Sequence, residues 1–196
     1  MNHFFAHLFR LRYIQRWPLM RSAVPEDDAQ HTFQVAVLTH ALCVIARDVF
    51  GKDLSDGDIG RAITLALFHD VEEVITGDIA APVKHHDPAI REAMRAVEIR
   101  AAERLIEMVP ENLRPVYQPL VGQPARADEL MRWVKAADTL DSLLKCRLEL
   151  ALGNREFAVA ARQIEEKVAQ LNMPEVDYFL ENFGASFERT LDELQQ

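Results

Sequence analysis

The chain has 196 residues, with 22 Lys and Arg against 31 Asp and Glu, giving a formal net charge of −9. That length suits one domain over 1–196 with a self-sufficient core, and 49% hydrophobic with 27% charged residues is the balance of a folded globular chain. The acidity excludes a protein that coats nucleic acid or an anionic membrane, since both need a basic footprint. A small anionic substrate stays open, because a bound cation can reverse the local sign.

The first 25 residues hold Arg10, Arg12, Arg16 and Arg21 and no acid. By composition this is a solvated helix face near a tail. MNHFFAHLFRLRYIQRW has neither a clean apolar stretch nor a small-residue cleavage site, so it does not read as a targeting peptide. Apolar periodicity and Pro spacing predict helices over about 3–13, 30–50, 56–75, 87–108, 112–120, 127–151, 154–171 and 175–194. Gly51 and Gly153 act as helix stops, Asp87 with Pro88 as an N-cap and first helical residue, and Pro174 starts the last helix. No alternating stretch bounded by turn dipeptides appears, so the fold class is all-α.

The longest apolar run, VAVLTHALCVIA at 35–46, is interrupted by Thr39 and His40 and falls short of the roughly 20 residues of a membrane span. Cys43 and Cys146 each sit in an apolar helical pattern as small buried hydrophobes, and a single such pair makes a reducing cytoplasm the expected location. His40 reads as structural, and His85 and His86 as solvent-exposed in a Pro-flanked loop. Phe179, Phe183 and Phe187 form a stripe at four-residue spacing that reads as core.

Two helices break their own pattern. In the helix over 56–75 the stripe Ile59, Ala62, Ile63, Ala66, Leu67 continues at helical steps onto Asp70 and Glu73, with His69 beside them. Buried carboxylates need partners; a metal ion and simple exposure at the helix end serve equally well on pattern alone. The helix over 127–151 repeats this, with Asp141 on its apolar seam and Asp138 at the seam's edge, where Lys135 and Lys145 are within helical reach as ordinary partners. His31 opens the helix over 30–50. A lone His is more often a cap or core residue than a ligand. Together, His31, His69, Asp70 and Asp138 make an N2O2 set suited to Mn, Co, Fe, Zn or Mg, with coordination positions left open for a water and a phosphoryl oxygen.

These residues resemble the H…HD…D signature of the HD-domain metal-dependent phosphohydrolases. The segments RWPLMR at 16–21, HDVEEVITGDIAAPVK at 69–84, KAADTLDSLLKC at 135–146 and MPEVDYFLENFGASF at 173–187 are similar to the bacterial 5'-deoxynucleotidase family of YfbR type, and the likeness runs nearly the whole chain. The resemblance implies a helical, dimeric enzyme dependent on one divalent ion per site, Co, Mn or similar. It further implies hydrolysis of deoxyribonucleoside 5'-monophosphates to deoxynucleoside and phosphate. It implies His31, His69, Asp70 and Asp138 as metal ligands, with His31, Asp70 and Asp138 also meeting substrate. Arg16 is implied to orient the phosphate, with Trp17 beside it, Glu73 to act in catalysis, and Asp78, Ile79, Ala80 and Ala81 to form a nucleoside loop. The chain departs from the family pattern at Ala80-Ala81, where Pro-Thr is expected, and at Gln30, where an acid is usual.

Elementary chemistry assigns compatible roles. Phosphate monoester cleavage needs charge neutralisation and an in-line water. Arg16 can fork to two phosphate oxygens, Glu73 can handle the proton of the water or of the leaving oxygen, and Asp78 can accept from a sugar 3'-hydroxyl. The alternatives are another HD phosphohydrolase acting on a triphosphate, cyclic dinucleotide or alarmone, or a non-catalytic nucleotide sensor. The first wants more cations than the 78–86 loop supplies beyond Lys84, and the second expects a broken ligand set.

Overall fold

The computed structural model describes residues 2–84 and 86–196. The helices are α1 (Phe4–Leu8), α2 (Asp28–Asp48), α3 (Asp56–Leu67), α4 (Glu73–Thr76), α5 (Ala81–Lys84), α6 (Pro88–Glu107), α7 (Arg114–Tyr117), α8 (Gly122–Arg126), α9 (Met131–Ala151), α10 (Ala158–Gln170) and α11 (Pro174–Phe183). Among the described residues there is no strand, only one isolated antiparallel bridge between Gln15 and Asp27. The all-α class stands.

Local chemistry explains the helix ends. Asp27 caps α2 by accepting from the N–H groups of Ala29 and Gln30, both at 2.9 Å. Ser55 and Asp58 form a reciprocal capping box at the start of α3. Asp87 accepts from Ile90 N at 2.8 Å, with Pro88 as first residue of α6. Gly51 and Gly153 lie just past α2 and α9 at φ 66° and 81°, the left-handed turn that ends a helix.

The core forms where α2, α3 and α9 pack on one another. Val35, Leu42, Cys43, Leu65, Ala66, Trp133, Ala137 and Leu140 are completely buried there. α2 is long and apolar enough to pass as a membrane span by composition, but 56% of its most apolar window is buried inside the molecule. It is therefore apolar because it is central.

Several expected elements are shorter. The helix expected over 56–75 ends at Leu67 and resumes only at Glu73, so His69 and Asp70 stand in a turn and not on a continued stripe. Two features tighten the chain there: Phe68 N bonds to Leu65 O at 3.1 Å, and the His69 ring takes the Ala66 carbonyl. The first and last predicted helices likewise break into short helix plus 3-10 turns, and 112–120 is three short turns. Of the Phe stripe only Phe179 is core; Phe183 and Phe187 cluster on it with ring centroids at 5.2 and 6.2 Å but stay exposed. His86 is exposed as expected, His40 is exposed on α2, and His85 lies outside the described residues.

Residues 15–27 form a strap over the end of α9. Glu149 on α9 anchors it by accepting from Ala23 N at 2.8 Å and Val24 N at 3.0 Å. The same carboxylate takes Asn154 Nδ2 at 2.7 Å and Lys145 Nζ at 2.5 Å, and Lys145 also donates to the Val24 carbonyl. Lys145 is thereby committed to the strap rather than to Asp141.

Candidate active site and metal centre

Four side chains from three distant segments converge. His31 comes from the first turn of α2, His69 and Asp70 from the turn after α3, and Asp138 from the middle of α9. His31 Nε2 lies 3.3 Å from Asp138 Oδ1 and 3.7 Å from Asp70 Oδ2, and His69 Nε2 lies 3.1 Å from Asp70 Oδ2. Candidate ligand atoms of His31, His69 and Asp138 all fall within 4.8 Å of one another.

The imidazoles are held from behind. His31 Nδ1 donates to Asp141 Oδ2 at 2.7 Å, and His69 Nδ1 donates to the Ala66 carbonyl at 2.7 Å. Each bond makes Nδ1 the nitrogen that donates backwards and turns Nε2 toward the carboxylates. Both Nε2 atoms are buried without a hydrogen-bond partner and face the two carboxylates. Two orphaned imidazole nitrogens with the Asp138 carboxylate beside them, and Asp70 adjoining both histidines, fit a divalent cation with mixed N and O preference. Burial opposes charge on His31, but Asp138, Asp141 and Asp70 more than offset it and hold the imidazole well above its usual range. Burial also resists the charge of Asp70, which His69 and His31 nonetheless keep well below the ordinary carboxylate range.

Arg16 sits at the strap's start. Its guanidinium is 3.5 Å from Glu26, 3.8 Å from Asp28 and 3.9 Å from Asp70. Burial works against its charge, but Asp70, Asp138, Asp78 and Glu26 together raise it further. Trp17 follows at φ 58°, a left-handed conformation that a bulky side chain adopts only under constraint. The constraint is visible: the indole N–H donates to Glu26 Oε2 at 3.1 Å and the ring packs on Phe157 at 5.4 Å.

A cavity of about 680 Å³ opens from this cluster. Arg16, Asp70, Glu73, Asp138, Asp78, Ile79 and Ala80 line the end near the histidines, with Trp17 on the wall. Ala81 begins α5, and its side chain lies outside the described residues. The cavity is also lined by Thr139, Ser142, Gln163, Ile164 and Lys167, which sequence reasoning missed; the α10 residues follow an i, i+1, i+4 spacing easily read as ordinary amphipathy. Glu73 is pushed up to about 10, first by burial and then by the charges of Asp70, Asp28 and Asp78. Asp28, fully buried with neither carboxylate oxygen hydrogen-bonded, is raised to about 6, chiefly by burial. Asp28 and Glu26 gave no sequence signal, because acids near a helix start are common.

Comparison with known proteins decides the family. The model of the YfbR-like 5'-deoxynucleotidases matches residues 3–187. The chain belongs to the YfbR-like family. A 5'-deoxynucleotidase YfbR from Shigella dysenteriae is 44% identical over 195 residues, covering 100% of this chain and 96% of the relative. A 5'-deoxynucleotidase from Vibrio vulnificus is 42% identical, covering 98% of each. Among solved structures, an HD-domain phosphohydrolase from Listeria innocua superposes with a TM-score of 0.81 at 23% identity, over 94% of this chain and 88% of that one. A cyanophage S-2L HD phosphohydrolase, solved with dA and one catalytic zinc ion, gives 0.66 at 20% identity, over 94% and 96%. The YfbR-like membership covers the convergent histidines, the strap and the 78–80 loop alike.

Proposed function

We propose that this YfbR-like chain hydrolyses deoxyribonucleoside 5'-monophosphates to deoxynucleoside and phosphate, using a divalent ion held by His31, His69, Asp70 and Asp138. The carrying observation is the pair of buried, partnerless Nε2 atoms facing two carboxylates that line a nucleotide-sized cavity. A bound divalent cation supplies Lewis-acid charge neutralisation and an activated water. Cobalt, manganese and zinc all suit the donor set.

Arg16 forks to two non-bridging phosphate oxygens and holds phosphorus in line with the water. Its three carboxylate neighbours orient it before substrate arrives. Glu73, carrying its proton, faces the leaving group. As water adds to phosphorus and the P–O5' bond breaks, Glu73 gives its proton to O5' and takes one from the attacking water. The products are deoxynucleoside and hydrogen phosphate, and the carboxyl is restored. Asp78 accepts from the sugar 3'-hydroxyl, Ile79, Ala80 and Ala81 complete the nucleoside loop, and the rigid Trp17 crowds out a 2'-hydroxyl.

A monophosphate fits better than a triphosphate. Lys84, lining the cavity, is already paired with Glu98 at 2.5 Å, and Lys167 lines it from α10. Among the described residues Arg16 is the cation left facing the phosphate position. The enzyme works in the cytoplasm as a homodimer. Both cysteines are buried thiols, and Phe33, Val37 and Phe187 leave an apolar groove of about 240 Å³ on the outer face of α2.

The test is dialysis against chelator, then addition of Zn, Mn, Co or Mg, with phosphate release from each dNMP and from AMP measured. Activity should vanish and return with metal, and dAMP should be preferred over AMP. Trp17→Ala should narrow that preference. Absence of dNMP hydrolysis with every metal rejects the reading; an unchanged preference in Trp17→Ala removes Trp17 from sugar selection.

A further inference from the structure

Behind the candidate ligands lies a polar chain that no catalytic step uses. Glu26 is nearly buried on the strap and Asp141 is nearly buried on α9. Each has one carboxylate oxygen committed to the site: Glu26 Oε2 to the Trp17 indole at 3.1 Å, Asp141 Oδ2 to His31 Nδ1 at 2.7 Å. Their remaining oxygens point at the same group, the terminal amide of Gln34 on α2, at 3.1 Å from Glu26 Oε1 and 2.9 Å from Asp141 Oδ1. Both neighbours are pure acceptors, so the amide must present its NH2, one hydrogen to each.

We infer that Gln34 is a positioning residue that couples the Arg16–Trp17 strap to the metal ligand His31, through the unbroken sequence Trp17, Glu26, Gln34, Asp141, His31. Without the amide the two nearly buried carboxylates would face one another along the wall of the α2 groove with no donor of the protein between them. The amide separates them without adding charge, and it sets Asp141 Oδ2 where it orients the His31 ring. It sets Glu26 Oε2 where it holds the indole of a residue in the left-handed region. A supporting hydrogen bond behind a metal-bound histidine is worth about 10- to 100-fold in metal affinity or activity. Gln34 acts one bond further out but governs both ends of the site together. Its other face borders the groove on α2, so the amide is reached without opening the core.

This inference rests on His31 being a metal ligand, and the experiment separates the two claims. Full-length wild-type, Gln34→Met and Gln34→Lys proteins are compared. Met keeps the length and removes both donors; Lys restores donors to both carboxylates. Zinc affinity is measured by equilibrium dialysis without substrate, KM and kcat on dAMP, and melting temperature and sedimentation as controls for fold and assembly. Gln34→Met should bind zinc about 10-fold more weakly and show a raised KM, while melting within a few degrees of wild type. Gln34→Lys should recover at least half of the lost zinc affinity on a logarithmic scale. A wild type that binds no zinc rejects the metal reading itself. If wild type binds zinc and Gln34→Met binds within twofold of it, the coupling role is wrong. If Met and Lys variants lose affinity equally, bulk and not the bridging donors is responsible, and the role is again wrong. A Gln34→Met protein that does not fold leaves Gln34→Lys to decide, by zinc affinity within fivefold of wild type or not.

Discussion

At the scale of single residues, the site is a balance of opposed charges around one gap. Glu73, Asp28, Asp70, Asp78 and Asp138 crowd together, with the Arg16 guanidinium among them. Like charges in a poorly solvated space cannot all ionise, and the proton settles on Glu73, which burial and three acids push up to about 10. In the proposed reaction Glu73 is accordingly the proton donor and not a ligand. Glu73→Gln should therefore keep its metal affinity within a few-fold and lose about 10²- to 10⁴-fold in kcat. Equilibrium dialysis with a single-turnover assay checks both, and a kcat within fivefold of wild type would remove Glu73 from the chemistry. Asp70 and Glu73 stood out in the sequence as charges that offend the apolar stripe they continue, and Asp138 as a charge at a stripe's edge. Arg16 and the ligand role of His31 were instead singled out by the family resemblance, since a basic segment and a lone His near a helix start are ordinary. Asp28, Glu26 and Gln34 offend nothing. They sit within a few residues of a helix start, where polar side chains are ordinary, and only the fold turns them inward.

At the scale of elements, the strap depends on one carboxylate. Glu149 is completely buried on α9, yet it accepts from Lys145, from the backbone N–H groups of Ala23 and Val24, and from Asn154. Burial opposes its charge, but these donors more than offset it and hold the carboxyl at about 2. A carboxyl whose folded value lies below its unfolded one stabilises the fold in its charged form. Its contribution is complete above about pH 4.5 and drains away as pH falls toward 2. Glu149→Gln strands the buried Lys145 and should cost on the order of 3 kcal/mol at pH 7. Urea midpoints at pH 7 and pH 3 should show the gap to wild type shrinking at the lower pH. A gap of equal size at both would mean the carboxylate's charge plays no part. Because the strap carries Arg16 and Trp17, KM for dAMP should rise as well. None of this was legible beforehand: Lys145 four residues before Glu149 reads as a routine helix pair. The long helices were legible because period and caps agree. The break after Leu67 was not, because Phe68, Val71 and Val74 sustain an apolar pattern through a turn that only the His69 ring and the Ala66 carbonyl reveal.

At the scale of the whole molecule, the candidate centre joins segments that are far apart in the chain. His31 stands on α2, His69 and Asp70 between α3 and α4, and Asp138 on α9, the same helices that make the core. The net charge of −9 thus includes candidate ligands gathered in one cluster. A cation there cancels repulsion among the acids and ties three elements that an unfolded chain would leave apart, so it binds the folded state far better than the unfolded one. Linkage then sets the size of the effect. Metal at about 100 times its Kd adds about 2.7 kcal/mol, and for a chain of this length each kcal/mol moves the melting temperature by about 2–4 °C. Chelated protein should therefore melt roughly 5–11 °C below protein with saturating zinc or manganese. Asp138→Ala, which removes one ligand from α9, should lose most of that shift while keeping the melting temperature of the chelated wild type to within a few degrees, because it also removes one of the repelling acids. Calorimetric scans with and without metal measure both differences. A melting temperature indifferent to metal, in a protein shown by dialysis to bind it, would place the ion outside the convergence of α2, α3 and α9.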